Sequence, residues 1–181
     1  MMKKHLFLAA TCISLLTISC NPKPQRYFDV AILSINMISD FGGRLEYEME
    51  NPSVTLVEGT KDQTRPMKRI EIIEEKIKIV EDHLKDVKDL KETDESRDIL
   101  KTSTALHEYV LPVFKTEYVQ LARLYDSGAA KEEIISYQQS IWNKYGNRFS
   151  QLFEALTDAG KKYAAKHEIK VNWDVKTSPT L

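Results

Sequence analysis

Histidine and cysteine are the side chains of this sequence best suited to metal binding and nucleophilic catalysis, and both are rare, with 4 histidines and 2 cysteines in 181 residues. A di-iron centre in a helical protein uses a Glu-x-x-His pattern on two helices, but no glutamate lies three residues before His83, His107 or His167. The sequence also lacks a Cys-x-x-Cys pair, a Gly-x-Ser-x-Gly turn and a glycine-rich phosphate loop. We therefore predict that the protein is not an enzyme and holds no metal or cofactor.

His107 and five aromatic residues are the second group that could form a site. They lie on the apolar stripes of two predicted helices, where they could line a pocket for an apolar ligand. The candidates are His107, Phe114, Tyr118, Trp142, Tyr145 and Phe149. His107 could in principle ligate a haem or act as a buried base, but nothing in the sequence identifies its partner. Core packing is therefore the favoured alternative for all six.

Cys20 follows a stretch that is first positively charged and then apolar. Lys3 and Lys4 precede the apolar run from Leu6 to Leu16, which is the order found in a secretory signal. This run is shorter than the roughly 20 residues of a membrane-spanning helix. The other cysteine, Cys12, lies inside the signal, so removal of the signal leaves one cysteine and no internal disulfide.

The residues Leu16-Thr17-Ile18-Ser19-Cys20 resemble a bacterial lipobox, in which a small residue precedes a cysteine that is acylated and becomes the N-terminus. Thr17 stands where the lipobox prefers leucine, and an ordinary signal peptidase would instead leave the thiol unmodified. We predict that residues 1–19 are a lipoprotein signal peptide and that Cys20 carries palmitate or a similar acyl chain. Two or three such chains hold a protein firmly on a bilayer without spanning it.

The residues after Cys20 bear on location and partners. Asn21 is not the aspartate that retains many lipoproteins in the inner membrane, which favours the outer membrane. Residues 21–26 contain no acidic cluster of the kind that resembles surface-export signals, which favours the periplasmic face. With Lys3 and Lys4 removed, 24 basic residues face 27 acidic ones, a net charge of −3, whereas a nucleic-acid partner would require a basic face.

Apolar residues at spacings of three and four predict helices over residues 27–50, 70–87, about 93–127, and from just after Gly128 to about 167. Pro112 predicts a kink in the third of these helices. We expect an all-α fold, an up-down four-helix bundle in a single domain over residues 27–181 that follows a short linker at 20–26. Residues 51–67 are predicted to form a long first loop, and alternating apolar residues from Ile169 to Val175 an extended C-terminal tail.

Two stretches in the second half of the chain carry a family resemblance. "LHEYVLPVFKTEYVQLARLYDSGAAKEEI" (106–134) and "FEALTDAGKKYAAKHEIKV" (153–171) resemble a family of small lipid-anchored helical proteins of diderm bacteria, surface proteins of unknown function. The resemblance implies a lipoprotein and brings no catalytic or binding residues. We expect a membrane-anchored envelope protein with a non-catalytic interaction or structural role, whose partners are the bilayer, through Cys20, and an envelope protein. The alternative is a periplasmic carrier of an apolar ligand in the bundle core.

Overall fold

The computed structural model describes residues 22–38, 41 and 43–173. The predictions about the signal peptide, Cys20 and Val175 lie outside these residues. The elements are α1 (Pro24–Ala31), a 3₁₀ helix (Leu33–Met37), α2 (Gly43–Glu50), β1 (Val54–Leu56), β2 (Thr64–Pro66), α3 (Arg69–Asp89), α4 (Arg97–Val113), a π-helical turn (Phe114–Tyr118), α5 (Val119–Ser127) and α6 (Lys131–Lys166). The protein is thus mostly helical, and the all-α class is confirmed apart from one short two-stranded sheet.

The helix predicted over 27–50 is divided into α1, the 3₁₀ helix and α2. Ile32, Ile35, Ile38 and Phe41 are spaced by three and all are buried. The amides of the last three each donate to the carbonyl three residues earlier at 3.0 Å. Side chains three residues apart lie on one face of a 3₁₀ helix, so this spacing buries all four together. α1 begins at Pro24, a residue suited to a first turn, so the end of the predicted 20–26 linker is helical.

The predicted loop at 51–67 contains a β-hairpin. β1 and β2 pair antiparallel with Val54 opposite Pro66, Thr55 opposite Arg65 and Leu56 opposite Thr64. Gly59 in the connection has φ of 79°, a left-handed conformation that glycine adopts without strain. The predicted long first loop therefore contains two short strands that the sequence pattern did not indicate.

The second predicted helix is confirmed as α3, and the third corresponds to α4, the π-helical turn and α5 in succession. The third begins at Arg97 rather than near residue 93, because Thr93 and Ser96 first exchange hydrogen bonds. The Thr93 amide donates to Ser96 Oγ at 2.9 Å, and the Ser96 amide donates to Thr93 Oγ1 at 3.1 Å. α5 ends at Gly128 with φ of 71°, as predicted from a glycine at that position.

α3 connects two ends of the molecule. At its start, the hairpin end, the Asp126 carboxylate accepts hydrogen bonds from the amides of Arg69 (2.9 Å) and Ile70 (3.1 Å). Beyond its last turn, at the N-terminal end, the Tyr27 hydroxyl of α1 donates to the carbonyl of Lys91 at 2.7 Å. With 21 residues, α3 separates the two ends by about 30 Å at 1.5 Å per residue.

The C-terminal tail turns away from α6 at Glu168, where φ is 55°. Residues 169–173 contain neither helix nor strand, and Trp173 packs edge-on against Phe28 of α1, with ring centroids 5.9 Å apart. The tail therefore packs against α1 at Trp173.

Candidate functional site

Three of the predicted pocket residues meet around Phe41 in what we call the aromatic cluster: Phe41, Phe114, Tyr118 and Phe149. The Phe41 ring stacks on Phe149 at 4.5 Å and contacts Phe114 and Tyr118 edge-on at 5.8 and 5.6 Å. All four rings are buried. Phe41 thus occupies the space between the three predicted residues, in arrangements that aromatic pairs favour.

Trp142 and Tyr145 lie elsewhere on α6, and both are half-buried. The Trp142 ring covers Gly146, where a Cβ atom would lie 2.7 Å from the ring. The Tyr145 hydroxyl donates to Glu117 Oε1 at 2.7 Å. The structure therefore does not bring the six predicted residues to one place.

Glu117, in the π-helical turn, is the centre of a polar network. Its carboxylate accepts hydrogen bonds from Tyr145, from the Tyr137 hydroxyl at 2.8 Å and from Lys144 Nζ at 3.1 Å. The bond from Tyr145 is the main cause of the lowered pKa of Glu117, and burial is the main cause that raises the pKa of Tyr137 to about 12. The carboxylate is charged and well supplied with donors, so it joins α6 to the π-helical turn and is poorly suited to accept a substrate proton.

His107 is fully buried in α4. Its Nδ1 lies 2.8 Å from the Ser103 carbonyl, so the proton must be on Nδ1 for a hydrogen bond to form. Burial is the main cause of the lowered pKa of His107, and the imidazole is therefore neutral at pH 7. The His83 ring lies 6.4 Å away, but among the described residues no group of three or more histidine, cysteine, aspartate or glutamate side chains could hold a metal ion.

A cavity of about 340 Å³ opens between the 3₁₀ helix, α6 and the tail, and we call it the Trp173 groove. Its apolar lining consists of Ile32, Leu33, Ile35, Phe153, Val171 and Trp173. Thr157, Asp158 and Lys161 of α6 contribute polar groups. This volume is at the lower end of the range for small-molecule sites. None of the six predicted pocket residues lines it, because the 3₁₀ helix that forms one wall was not predicted.

The hairpin carries a second feature that the sequence did not predict. Val54 and Leu56 of β1 are 66% and 57% exposed, and alternation along a strand places them on the same face. Thr55, on the opposite face, lies across a cleft from α3. These two side chains form a small apolar face that is open to contact with another molecule.

The hairpin is fastened to the first turn of α3. Arg65 donates to both carboxylate oxygens of Glu71 at 2.6 and 2.8 Å, and the Lys68 amide donates to the same carboxylate at 2.7 Å. These donors, first of all Arg65, lower the pKa of Glu71 to about 2. Bidentate arginine–carboxylate pairing defines an orientation as well as a contact, so the exposed strand is held in one position relative to α3.

Comparison with protein-family models, curated proteins and solved structures gave no match. In the part of the chain that the structure describes, no helix is both long and apolar enough to cross a membrane.

Proposed function

We propose that the protein is a membrane-anchored lipoprotein of the cell envelope, with a non-catalytic interaction or structural role performed at the hairpin end. The observation that carries this proposal is the separation of the two ends of α3. Pro22, the first described residue, lies at the N-terminal end beside Thr93 and Tyr163, only two residues after Cys20. An acyl anchor on Cys20 would hold this end at the bilayer, while the hairpin would face away from it.

We also infer that the helices form an up-down four-helix bundle with a kink at Pro112. The segment from α1 to α2 runs from the N-terminal end toward the hairpin end, where Arg69 Nε donates to the Met49 carbonyl at 2.9 Å. α3 runs back, α4 and α5 return to Asp126 at the hairpin end, and α6 ends where Lys166 pairs with Glu95 at 3.0 Å. Pro112 lies two residues before the π-helical turn, and both prolines and π-helical turns are recognised causes of helix kinks.

The two cysteines provide a matched test of the anchor. Replacement of Cys20 by serine (Cys20→Ser) should abolish incorporation of labelled palmitate and release the protein from the membrane fraction, whereas Cys12→Ser should change neither. Separation of the two membranes on a density gradient should place the wild type in the outer membrane, protected from external protease. Continued labelling of the Cys20→Ser variant would disprove the anchor.

The interaction role is tested by photo-crosslinking in intact cells. A photoreactive phenylalanine analogue in place of Tyr47, which is 64% exposed in α2, should give an adduct with an envelope protein. The same analogue at the exposed Gln151 in α6 is the control and should give none. Equal adducts from both positions would contradict an interaction concentrated at the hairpin end.

A second candidate function is supported by the Trp173 groove, which is large enough for a small apolar ligand. As a carrier, the protein would hold this ligand beside Trp173 rather than among the six residues predicted in the core. The fluorescent probe N-phenylnaphthylamine should bind the wild type and shift Trp173 emission. Thr157→Trp should fill the groove and abolish probe binding, while Gln151→Trp on the same helix should not; equal binding by all three proteins would exclude this function.

A further inference from the structure

The two edges of the hairpin differ in the backbone groups that they offer. The Val57 amide donates to the Gln63 carbonyl and the Met67 amide to the Ser53 carbonyl, both at 2.8 Å, so the odd-numbered residues of the two strands exchange hydrogen bonds. In an antiparallel pair the intervening residues direct their backbone groups outward. The N–H and C=O groups of Val54 and Leu56 therefore line the outer edge of β1.

The outer edge of β2 is largely closed. Pro66 has no N–H group, and its carbonyl accepts a hydrogen bond from Arg65 Nη1 at 3.1 Å. The outer edge of β1 retains two N–H and two C=O groups, on residues whose side chains are more than half exposed. A hairpin with one closed edge can add a strand on its open side only.

The two faces of β1 differ in chemistry. Val54 and Leu56 provide an apolar face, whereas the cleft beside Thr55 is lined on α3 by Glu71, Glu74, Glu75 and Lys78. Glu71 is paired with Arg65 of the hairpin. The remaining charged side chains of the cleft on α3 are two glutamates and one lysine, so this face is acidic.

We propose that the outer edge of β1 binds an extended segment of another polypeptide in which apolar and basic side chains alternate. Backbone groups that recur every second residue are matched by another extended backbone. An acyl chain has no such groups, and a helix has already used its own internally. The apolar side chains of the segment would cover Val54 and Leu56, and its basic ones would face Glu74 and Glu75.

A second copy of this chain fits the edge less well. Its β1 would place Thr55 where the acidic cleft on α3 calls for a basic residue. The Arg65–Glu71 contact favours binding of a separate segment, because a strand already held in place loses little conformational freedom when it binds. This inference specifies the partner for the proposed interaction role, and it does not depend on acylation of Cys20.

The hairpin register supplies a matched pair of variants. Leu56 and Thr64 are opposite each other, and both direct their amides outward, so Leu56→Pro and Thr64→Pro each remove one outward N–H without removing a bond between the strands. The probe is a labelled six-residue peptide of alternating valine and lysine, titrated into the full chain in detergent micelles by fluorescence anisotropy. We expect Leu56→Pro to weaken peptide binding at least tenfold, because it removes a backbone donor from the binding edge. Thr64→Pro should change binding less than twofold, because its amide lies on the other edge.

Charge and occupant are tested with the same assay. Glu74→Lys combined with Glu75→Lys should also weaken peptide binding, as should replacement of the peptide lysines by glutamate. Leu56→Ala keeps the amide and should weaken binding less than Leu56→Pro. Equal losses of affinity from the two proline variants, or no peptide binding, would overturn the proposal.

If the peptide does not bind, other occupants of the edge can be identified. A doubling of mass that Leu56→Pro abolishes would identify a second copy of the chain, and vesicle binding that Leu56→Pro abolishes would identify lipid. The Cys20→Ser variant should bind the peptide normally, so failure of the anchor and failure of the edge are distinguishable.

Discussion

The aromatic cluster and the Trp173 groove lie one helical turn apart on α6, yet the first is filled and the second is open. Phe149 belongs to the cluster and Phe153 to the groove, and their rings are 5.7 Å apart. The segment that faces α6 accounts for the difference, because it inserts the Phe41 ring into the cluster, whereas at the groove Ile32, Leu33 and Ile35 form a wall without filling the space. An aromatic stripe on one helix therefore does not determine whether a site is a pocket or a packed core.

Removal of the ring that fills the cluster should have the largest effect. Phe41→Ala should lower the free energy of unfolding by about 3–5 kcal/mol, since it leaves a closed void among three aromatic side chains. Urea denaturation measures this loss. Tyr47→Ala, on a ring that is 64% exposed, is the control and should change stability by no more than about 0.5 kcal/mol.

Replacement of phenylalanine by alanine should lower the free energy of unfolding by different amounts in the aromatic cluster and in the Trp173 groove. Phe149 and Phe153 are 6% and 7% exposed, so burial alone predicts the same cost for each. We expect Phe149→Ala to cost about 3–5 kcal/mol and Phe153→Ala about 1–2 kcal/mol less, because space vacated beside the groove joins an open cavity instead of forming a closed one. Equal losses in urea denaturation would show that the groove is as tightly packed as the cluster.

Gly160 tests how closely the wall of the groove is packed. A Cβ atom there would lie 2.9 Å from Ile32 Cδ1 and 3.1 Å from the Trp173 ring. Overpacking costs about 1–3 kcal/mol and alanine gains about 1 kcal/mol over glycine in a helix, so Gly160→Ala should lose about 1 kcal/mol net. Ile32→Val removes the Cδ1 atom, and in that background the cost measured by thermal unfolding should shrink; an unchanged cost would contradict this contact.

The smallest effect on stability is expected at His107, a polar side chain that lies in a closed part of the core. Its pKa is lowered by burial, so the unfolded chain binds more protons than the folded one in the window below the ordinary value of about 6.5. Its contribution to stability is complete above that value and is lost as the pH falls through the folded pKa. The urea midpoint should therefore fall less between about pH 7.5 and pH 5 in His107→Leu than in the wild type; identical pH dependence would show that His107 does not titrate in this range.

Local patterns predicted α3 well, because its apolar spacing and charged opposite face depend only on residues within a few turns. The spacing of three from Ile32 to Phe41 is compatible with both an α-helix and a 3₁₀ helix over so short a span, so the sequence pattern did not indicate the 3₁₀ helix within residues 27–50. β1 has only three residues, and proline in β2 argues against a strand, so the hairpin depends on a pairing that the sequence pattern does not display.

The candidate sites were less predictable than the fold. Helical spacing correctly predicted that Phe114, Tyr118 and Phe149 are buried. The ring that lies between them, Phe41, belongs to a segment more than seventy residues earlier in the chain. Leu56 gave a partial signal, as an apolar residue within a polar connection. Its outward amide follows from the strand register, which the structure supplies.

The π-helical turn bears on how this chain could vary in length. A π-helical turn, with its bonds between residues five apart, holds one residue more than the α-helical turn it replaces. Loss of one exposed residue there, such as Thr116, would convert it to a regular α-helical turn and keep the side chains of α4 and α5 on their present faces. A deletion elsewhere in α4 or α5 would rotate all later residues by about 100° and carry Asp126 away from the amides of Arg69 and Ile70. The turn is therefore the position in this long helix where homologous sequences are expected to differ by a single-residue gap.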